Sequence, residues 1–184
     1  MPAITKQNLG VLLGISPAAL DYRVRRMQAT GELLILRSGL YALASPWRAA
    51  QASAAQARRH LDYLSGIVRS PSYVSLEYVL EEAGMIPDSP FALTCITPKT
   101  SRTYEMPLGR FPYRSIRGNP FTGYAALAYH DLEIRIASPA KALFDMLYLR
   151  PFIETEQALE TFSLNIHEVL PAQLKALEKA LLTT

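Results

Sequence analysis

The first 44 residues constrain this chain most, through the order of their helix stops and turn residues. Residues Thr5–Leu13 read as a short helix with Leu9, Leu12 and Leu13 on one face. Gly14-Ile15-Ser16 interrupts it. Ser16-Pro17 then offers a side-chain acceptor at an N-cap and a proline at the first helical position, where no N–H partner is needed. The second helix runs to about Thr30 and stops at Gly31, a residue suited to the left-handed cap. Two β-prone runs follow, Glu32–Arg37 and Leu40–Ala44, separated by the turn dipeptide Ser38-Gly39. Helix, tight turn, helix and hairpin in this order predict a winged helix-turn-helix over residues 1–45.

Ser45-Pro46 reads as the start of a connecting helix over 46–69. Its apolar positions Trp47, Ala50, Ala54, Ala57, Leu61, Leu64 and Val68 alternate steps of three and four. Such a stripe suits a helix packed on its own body, and a two-helix dimer seam is the alternative. From residue 70 the texture changes, and residues 70–184 read as an α+β domain. Ser72–Ala83 looks helical, with Leu76, Val79, Leu80 and Ala83 inward and Gly84 and Pro87 ending it. Short β-prone runs follow at Phe91–Thr97, Thr103–Met106, Arg110–Ile116, Tyr124–Tyr129 and Leu132–Ala137. Turn residues lie between them, which predicts a mostly antiparallel sheet. Ser138-Pro139 caps a helix to about Leu149, stopped by Arg150-Pro151, and a last helical region spans Glu154–Leu182 with a break near Pro171.

The chain carries 19 basic and 16 acidic side chains, unevenly placed. Residues 1–69 hold nine basic against three acidic, leaving ten against 13 in the remainder. A basic first third on a mildly acidic body suggests that this third meets a polyanion. No apolar run approaches the roughly 20 residues a membrane helix needs. The single Cys95 excludes a disulfide framework and suits a reducing compartment. The expectation is a cytoplasmic protein with no membrane contact.

The helix after Ser16 locates the polyanion contact. At 100° per residue Leu20, Val24 and Met27 converge on the core side. Ala18, Tyr22 and Arg25 take the opposite face, Ala19 and Arg26 flank it, and Arg23 lies nearer the core edge. Small residues in the first turn permit close approach to a major groove, while Tyr22, Arg23, Arg25 and Arg26 supply donors for bases or phosphates. Arg37 and Ser38, at the hairpin tip, are placed to touch the backbone of double-stranded DNA. The same module used only for protein contacts is the alternative.

Catalytic readings find little support. His60, His130 and His167 are dispersed and have no metal-ligand spacing with Cys95. There is no phosphate-binding glycine loop and no G-x-S-x-G. Ser72 and Ser75 read as helix caps, and Lys141 with Asp145, four apart on one helix, as a surface ion pair worth a few tenths of a kcal/mol. The expectation is a protein that is not an enzyme, with no metal and no cofactor. Arg102, Arg110, Arg114 and Arg117 stand apart, concentrated in the β-region with Tyr104, Phe111 and Tyr113. Alternation puts Arg110, Pro112 and Arg114 on one strand face, opposite Phe111 and Tyr113. They read as the polar side of an ordinary half-buried sheet, or as a second polyanion or partner surface.

Four stretches in order carry a family resemblance: Gly31-Glu32-Leu33 with Arg37-Ser38-Gly39-Leu40-Tyr41; Pro71-Ser72-Tyr73-Val74-Ser75-Leu76-Glu77 with Gly84-Met85-Ile86-Pro87; Pro107–Arg114; and Ile134–Asp145. In these the chain resembles the AbiEi-type antitoxins of bacterial abortive-infection toxin–antitoxin systems. The resemblance implies a winged-helix N-terminal domain that represses its own promoter. It also implies a C-terminal domain that counteracts a nucleotidyltransferase-like toxin, in the family's usual description without a stable complex. The residues involved are largely turns, caps and core, so they identify no active site. A protein that contacts a toxin or other partner through its C-terminal domain, with the winged helix as scaffold, is the competing expectation.

Overall fold

Thr5 closes a short strand and opens a helix. The computed structural model describes residues 3–86, 92–129 and 132–150, and begins with β1 (Ala3–Thr5), α1 (Lys6–Leu13) and α2 (Pro17–Ala29). The Thr5 hydroxyl accepts from the Asn8 N–H, and Ser16 does the same for Ala19. Gly14, at φ 63°, makes the left-handed turn between the helices that a side chain would strain. Strands β2 (Leu33–Arg37) and β3 (Leu40–Leu43) pair antiparallel across Ser38-Gly39, as the turn chemistry predicts. β1 pairs with the other edge of β3, giving a three-stranded sheet in the order β1-β3-β2. That first strand was not expected. Leu12, expected on the inner face of α1, is instead exposed beside Val11.

The connecting helix divides. Helix α3 (Ala44–Ala50) and helix α4 (Ala54–Val68) are separated at Gln51–Ser53, where Ser53 turns extended and its hydroxyl accepts from Gln56 N–H. A strong capping residue inside the apolar stripe offers the backbone a new helix start, and periodicity alone does not register it. Ser45-Pro46 is not the cap expected. The helix begins at Ala44, and Pro46 falls in the first turn, where its missing N–H has no partner to lose.

The segment expected as helix 72–83 is half strand. β4 (Tyr73–Val74) lies inside the larger sheet, and only α5 (Glu77–Glu82) is helical. Between them Leu76 takes φ 62° and ψ −145°, a conformation leucine rarely adopts, and it turns the chain sharply out of the sheet. Ser75 holds that turn: its N–H donates to the Thr94 carbonyl and its own carbonyl accepts from the Thr94 hydroxyl. Four strands follow at or near the expected places, β5 (Cys95–Thr97), β6 (Arg102–Met106), β7 (Gly109–Ser115) and β8 (Tyr124–Tyr129). β9 (Leu132–Ala137) and helix α6 (Pro139–Tyr148), capped by Ser138, complete the described chain. The turn at His130-Asp131, the start of the run at Phe91 and the helical region Glu154–Leu182 lie outside the described residues.

The six strands order as β6-β7-β5-β4-β9-β8, with three antiparallel pairings and two parallel ones, β4 with β9 and β5 with β7. This is an α+β fold with a mostly antiparallel sheet. Register assigns its faces. Val74, Cys95 and Tyr113 share one face, where the Tyr113 hydroxyl donates to the Ser65 carbonyl of α4. Tyr73, Ile96 and Arg114 share the other, where the Tyr73 hydroxyl donates to Asp145 of α6. The sheet is therefore sandwiched between α4 and α6. Its core also takes in Leu36, Leu40 and Ala42 of the N-terminal hairpin, while Leu33 and Tyr41 pack with Leu9, Leu20, Val24 and Met27 in a second, smaller core.

Lys141 and Asp145 are not on the surface. Both side chains are 0% exposed, with Nζ 2.5 Å from Oδ1. The ammonium also donates to the Pro120 carbonyl at 2.6 Å, and Asp145 Oδ2 accepts from Ser75 Oγ at 2.8 Å and from the Tyr73 hydroxyl at 3.0 Å. Ser75, expected as a helix cap, is thus spent on a buried carboxylate, and Ser72 is buried with no hydrogen-bond partner for its hydroxyl among the described residues. Burial pushes the Asp145 carboxyl up and the Lys141 ammonium down, each against the pull of its partner. The spacing of four was read correctly. The sheet that covers the pair was not visible in it.

Candidate nucleic-acid interface

Helix α2 presents the arrangement its sequence predicts. Leu20, Val24 and Met27 are buried, and Ala18, Ala19, Tyr22, Arg25 and Arg26 are exposed, with Arg23 half-buried between the two faces. Tyr22 is 71% exposed, too much for a core aromatic. The helix carries one carboxylate, Asp21, and Lys6 of α1 pairs with it. Its hydrogen bond with Lys6 holds the Asp21 carboxyl below the usual range. A negative charge beside the arginines is thereby offset. Sequence reasoning passed over Lys6, because the pairing depends on how α1 crosses α2.

The hairpin tip sits beside a different part of the molecule. Arg37 and Ser38 are exposed and Gly39 turns at φ 71°. The register of β2 on β3 shifts between Ile35 and Arg37, so the last residues of the hairpin bend out of the regular ladder. Arg37 Nε donates to the Val68 carbonyl at 3.0 Å, which ties the tip to the end of α4. Its terminal guanidinium nitrogens make no other described contact.

The four arginines of the β-region do not share one face of the sheet. On β6 and β7, Glu105 stands opposite Arg110 and the two side chains pair at 3.0 Å, which occupies Arg110. Arg102 stands opposite Tyr113, and its guanidinium lies 5.1 Å from the Tyr104 ring centre, on the α4 side. Arg114 faces the α6 side and lines a groove of about 570 Å³ with Leu76, Thr94, Ser101, Met146 and Arg150. Arg117 is exposed beyond the end of β7.

That groove offers poor chemistry for catalysis. Its hydroxyls serve the backbone: Thr94 Oγ1 donates to the Ser75 carbonyl and Ser101 Oγ accepts from the Ser115 N–H. Arg150 is joined to Glu77 at 2.6 Å. Cys95 is buried, and burial pushes its thiol up, away from the reactive thiolate. His60 lies among aromatic rings, with Trp47 at 6.0 Å and Tyr63 at 6.2 Å, while His130 and His167 lie outside the described residues. Among the described residues no group of three His, Cys, Asp or Glu side chains could hold a metal ion. No described helix is long and apolar enough to cross a membrane. No family model matches the chain, and no curated protein matches it in sequence.

Proposed function

We propose that this protein is a DNA-binding transcriptional regulator whose winged helix-turn-helix, over residues 1–45, is formed by α1, α2 and the β2–β3 hairpin. The observation that carries the reading is the exposed face of α2, where Ala18, Ala19 and Tyr22 are flanked by Arg25 and Arg26 with no carboxylate left uncompensated. Small residues permit close approach to base edges and the arginines supply donors for phosphates or guanines. With the resemblance to AbiEi-type antitoxins, the reading extends to a cytoplasmic repressor of its own promoter in a toxin–antitoxin operon. The body from residue 70 would then counteract a nucleotidyltransferase-like toxin, and the protein would carry out no catalytic step of its own.

The test is binding to the DNA upstream of the protein's own coding sequence, measured across a salt series. Arg25→Ala and Arg26→Ala should each weaken binding. An arginine that touches a phosphate takes about one unit of salt slope with it when removed, and one that reads a guanine takes about 1–3 kcal/mol together with specificity at that base. Folded variants that bind as the parent does at every salt concentration would remove α2 as the recognition helix. One observation favours the alternative use of the same N-terminal module for protein contacts. Val11 and Leu12 of α1 are 78% and 68% exposed, beside an apolar groove lined by Gly10, Ile15, Pro17 and Leu20. Loss of partner binding in Val11→Ser/Leu12→Ser, with promoter binding intact or absent in the parent, would favour it.

A further inference from the structure

We infer that one end of the larger sheet is a second phosphate-binding surface for the same DNA duplex, continuous with the hairpin tip. The inference rests on the DNA-binding reading above and names a site outside the helix-turn-helix.

Topology assembles this surface. β5 runs parallel to β7, and β6 and β4 run antiparallel to their neighbours. The end of β5 at Thr97, the start of β6 at Arg102, the end of β7 at Ser115 and the approach to β4 at 69–72 therefore lie at one end of the sheet. Hydrogen bonds join them: Thr97 Oγ1 donates to the Pro71 carbonyl at 2.8 Å, and Ser115 N–H donates to Ser101 Oγ at 3.0 Å. Segments 68–72, 97–104 and 112–123, distant in sequence, contain no Asp or Glu, and contribute Arg69, Lys99, Arg102, Arg114 and Arg117.

Three of the five cations are held in place by neutral groups. Arg69 donates to the Thr100 carbonyl and hydroxyl, Lys99 to the Ser70 carbonyl at 2.5 Å, and Arg102 lies over Tyr104. Among the described residues none of these five side chains is paired with a carboxylate. Glu133, which shares a small cavity with Ser70 and Ser72, is held by Arg135 at 3.0 Å. Arg110 pairs with Glu105, toward the other end of β6 and β7. Among the described residues of the sheet, positive charge is thus left without a carboxylate partner at this end.

The hairpin tip adjoins that end. Arg37 binds the Val68 carbonyl, one residue before Arg69, so a basic path runs from Arg37 through Arg69 and Lys99 to Arg102. A duplex carries one negative charge per roughly 1.7 Å of axis, so a path leading away from the tip meets further phosphates without reading sequence. Arginines tethered by part of their donor set to neutral carbonyls keep their charge and lose less rotamer entropy on binding.

The experiment compares the parent with the triple variant Lys99→Gln/Arg102→Gln/Arg117→Gln. The probes are the upstream duplex and a scrambled duplex of equal length, each across a salt series, with circular dichroism as the folding control. The triple variant should show a shallower salt slope on both duplexes, by about 0.9 for each phosphate it no longer neutralises. Its preference for the upstream duplex over the scrambled one should be unchanged. Arg25→Ala should reduce that preference. A triple variant with the parent's slope on both duplexes overturns the second surface, and it does so whether or not α2 reads sequence. A parent that binds both duplexes equally overturns the α2 reading alone. An unchanged slope on both duplexes, with loss of binding to a protein partner, assigns the patch to that partner and likewise overturns the inference.

Discussion

Asp145→Ala is the sharpest test of what the fold does with its polar residues. In the folded protein the Asp145 carboxylate accepts from Lys141, Ser75 and Tyr73, and all four groups are sealed from water. Removing the carboxylate leaves the Lys141 ammonium with one described hydrogen-bond acceptor, the Pro120 carbonyl, besides the Phe144 ring at 4.8 Å, and strips two hydroxyls of their acceptor. An uncompensated buried charge costs about 3–5 kcal/mol, and each orphaned hydroxyl adds a further penalty of about 1–3 kcal/mol before relaxation. The reading of Lys141 and Asp145 as a surface pair gives a few tenths of a kcal/mol, so the two readings differ by about a factor of ten. Urea unfolding followed by far-ultraviolet circular dichroism measures the difference at neutral pH. The double variant Lys141→Met/Asp145→Leu should recover much of the loss, because it removes both charges together. A loss below about 1 kcal/mol for Asp145→Ala would refute the argument that this pair is buried and hydrogen-bonded as described.

Asp62, 1% exposed and with Arg59 as far as 3.7 Å away, has its carboxyl pushed by burial from 3.8 up to about 6. The folded state holds that proton longer than the unfolded chain, so this contribution to stability is full below about pH 4 and lost as pH rises through 6. Asp62→Asn should therefore be more stable than the parent at pH 8 by up to about 3 kcal/mol and no more stable near pH 4, and urea midpoints equal at both pH values would contradict this. Leu20→Ala, in the smaller core beneath the exposed face of α2, should cost about 2–5 kcal/mol, read as a lower urea midpoint. The Cys95 thiol, buried and raised, should resist a thiol-specific reagent until the protein is unfolded, and rapid labelling of the native protein would count against its position in the sheet.

The elements that were legible in the sequence are those with their signals close together. Ser16-Pro17 and Ser138-Pro139 carry cap and first-turn proline side by side, and both helices start where those pairs place them. β8 matches its predicted run because turn residues bound it on both sides. Elements that depend on distant partners were not legible. β1 is three residues long and exists because the outer edge of β3 accepts it. β4 hides inside a run whose Leu76, Val79, Leu80 and Ala83 keep helical spacing, and only its pairing with β5 and β9 reveals a strand. The face of α2 was readable because one helix displays it whole. The cluster of Arg69, Lys99 and Arg102 was not, because the sheet brings together segments about 30 positions apart in the chain.

The hairpin has consequences for both proposals. Along β3, Tyr41 faces α2 while Leu40 and Ala42 face the larger core, so one strand is a wall shared by two cores. Swinging α1, α2 and the hairpin away from the body would expose Leu36 and Leu40, at about 1.5–3 kcal/mol each, and break the Arg37 bond to Val68. A boundary near residue 45 therefore does not mark a flexible joint, and α2 keeps a set orientation relative to the end of the larger sheet. A recognition helix on a free tether would let its basic neighbour find phosphates anywhere within reach. A fixed one allows a single placement. If α2 lies in a major groove, the Lys99–Arg102 end meets the backbone at one distance along the duplex or not at all. Trimming the duplex base pair by base pair on that side should then abolish the second contribution in one step, while a gradual decline would show that the hairpin does not lock the two surfaces together.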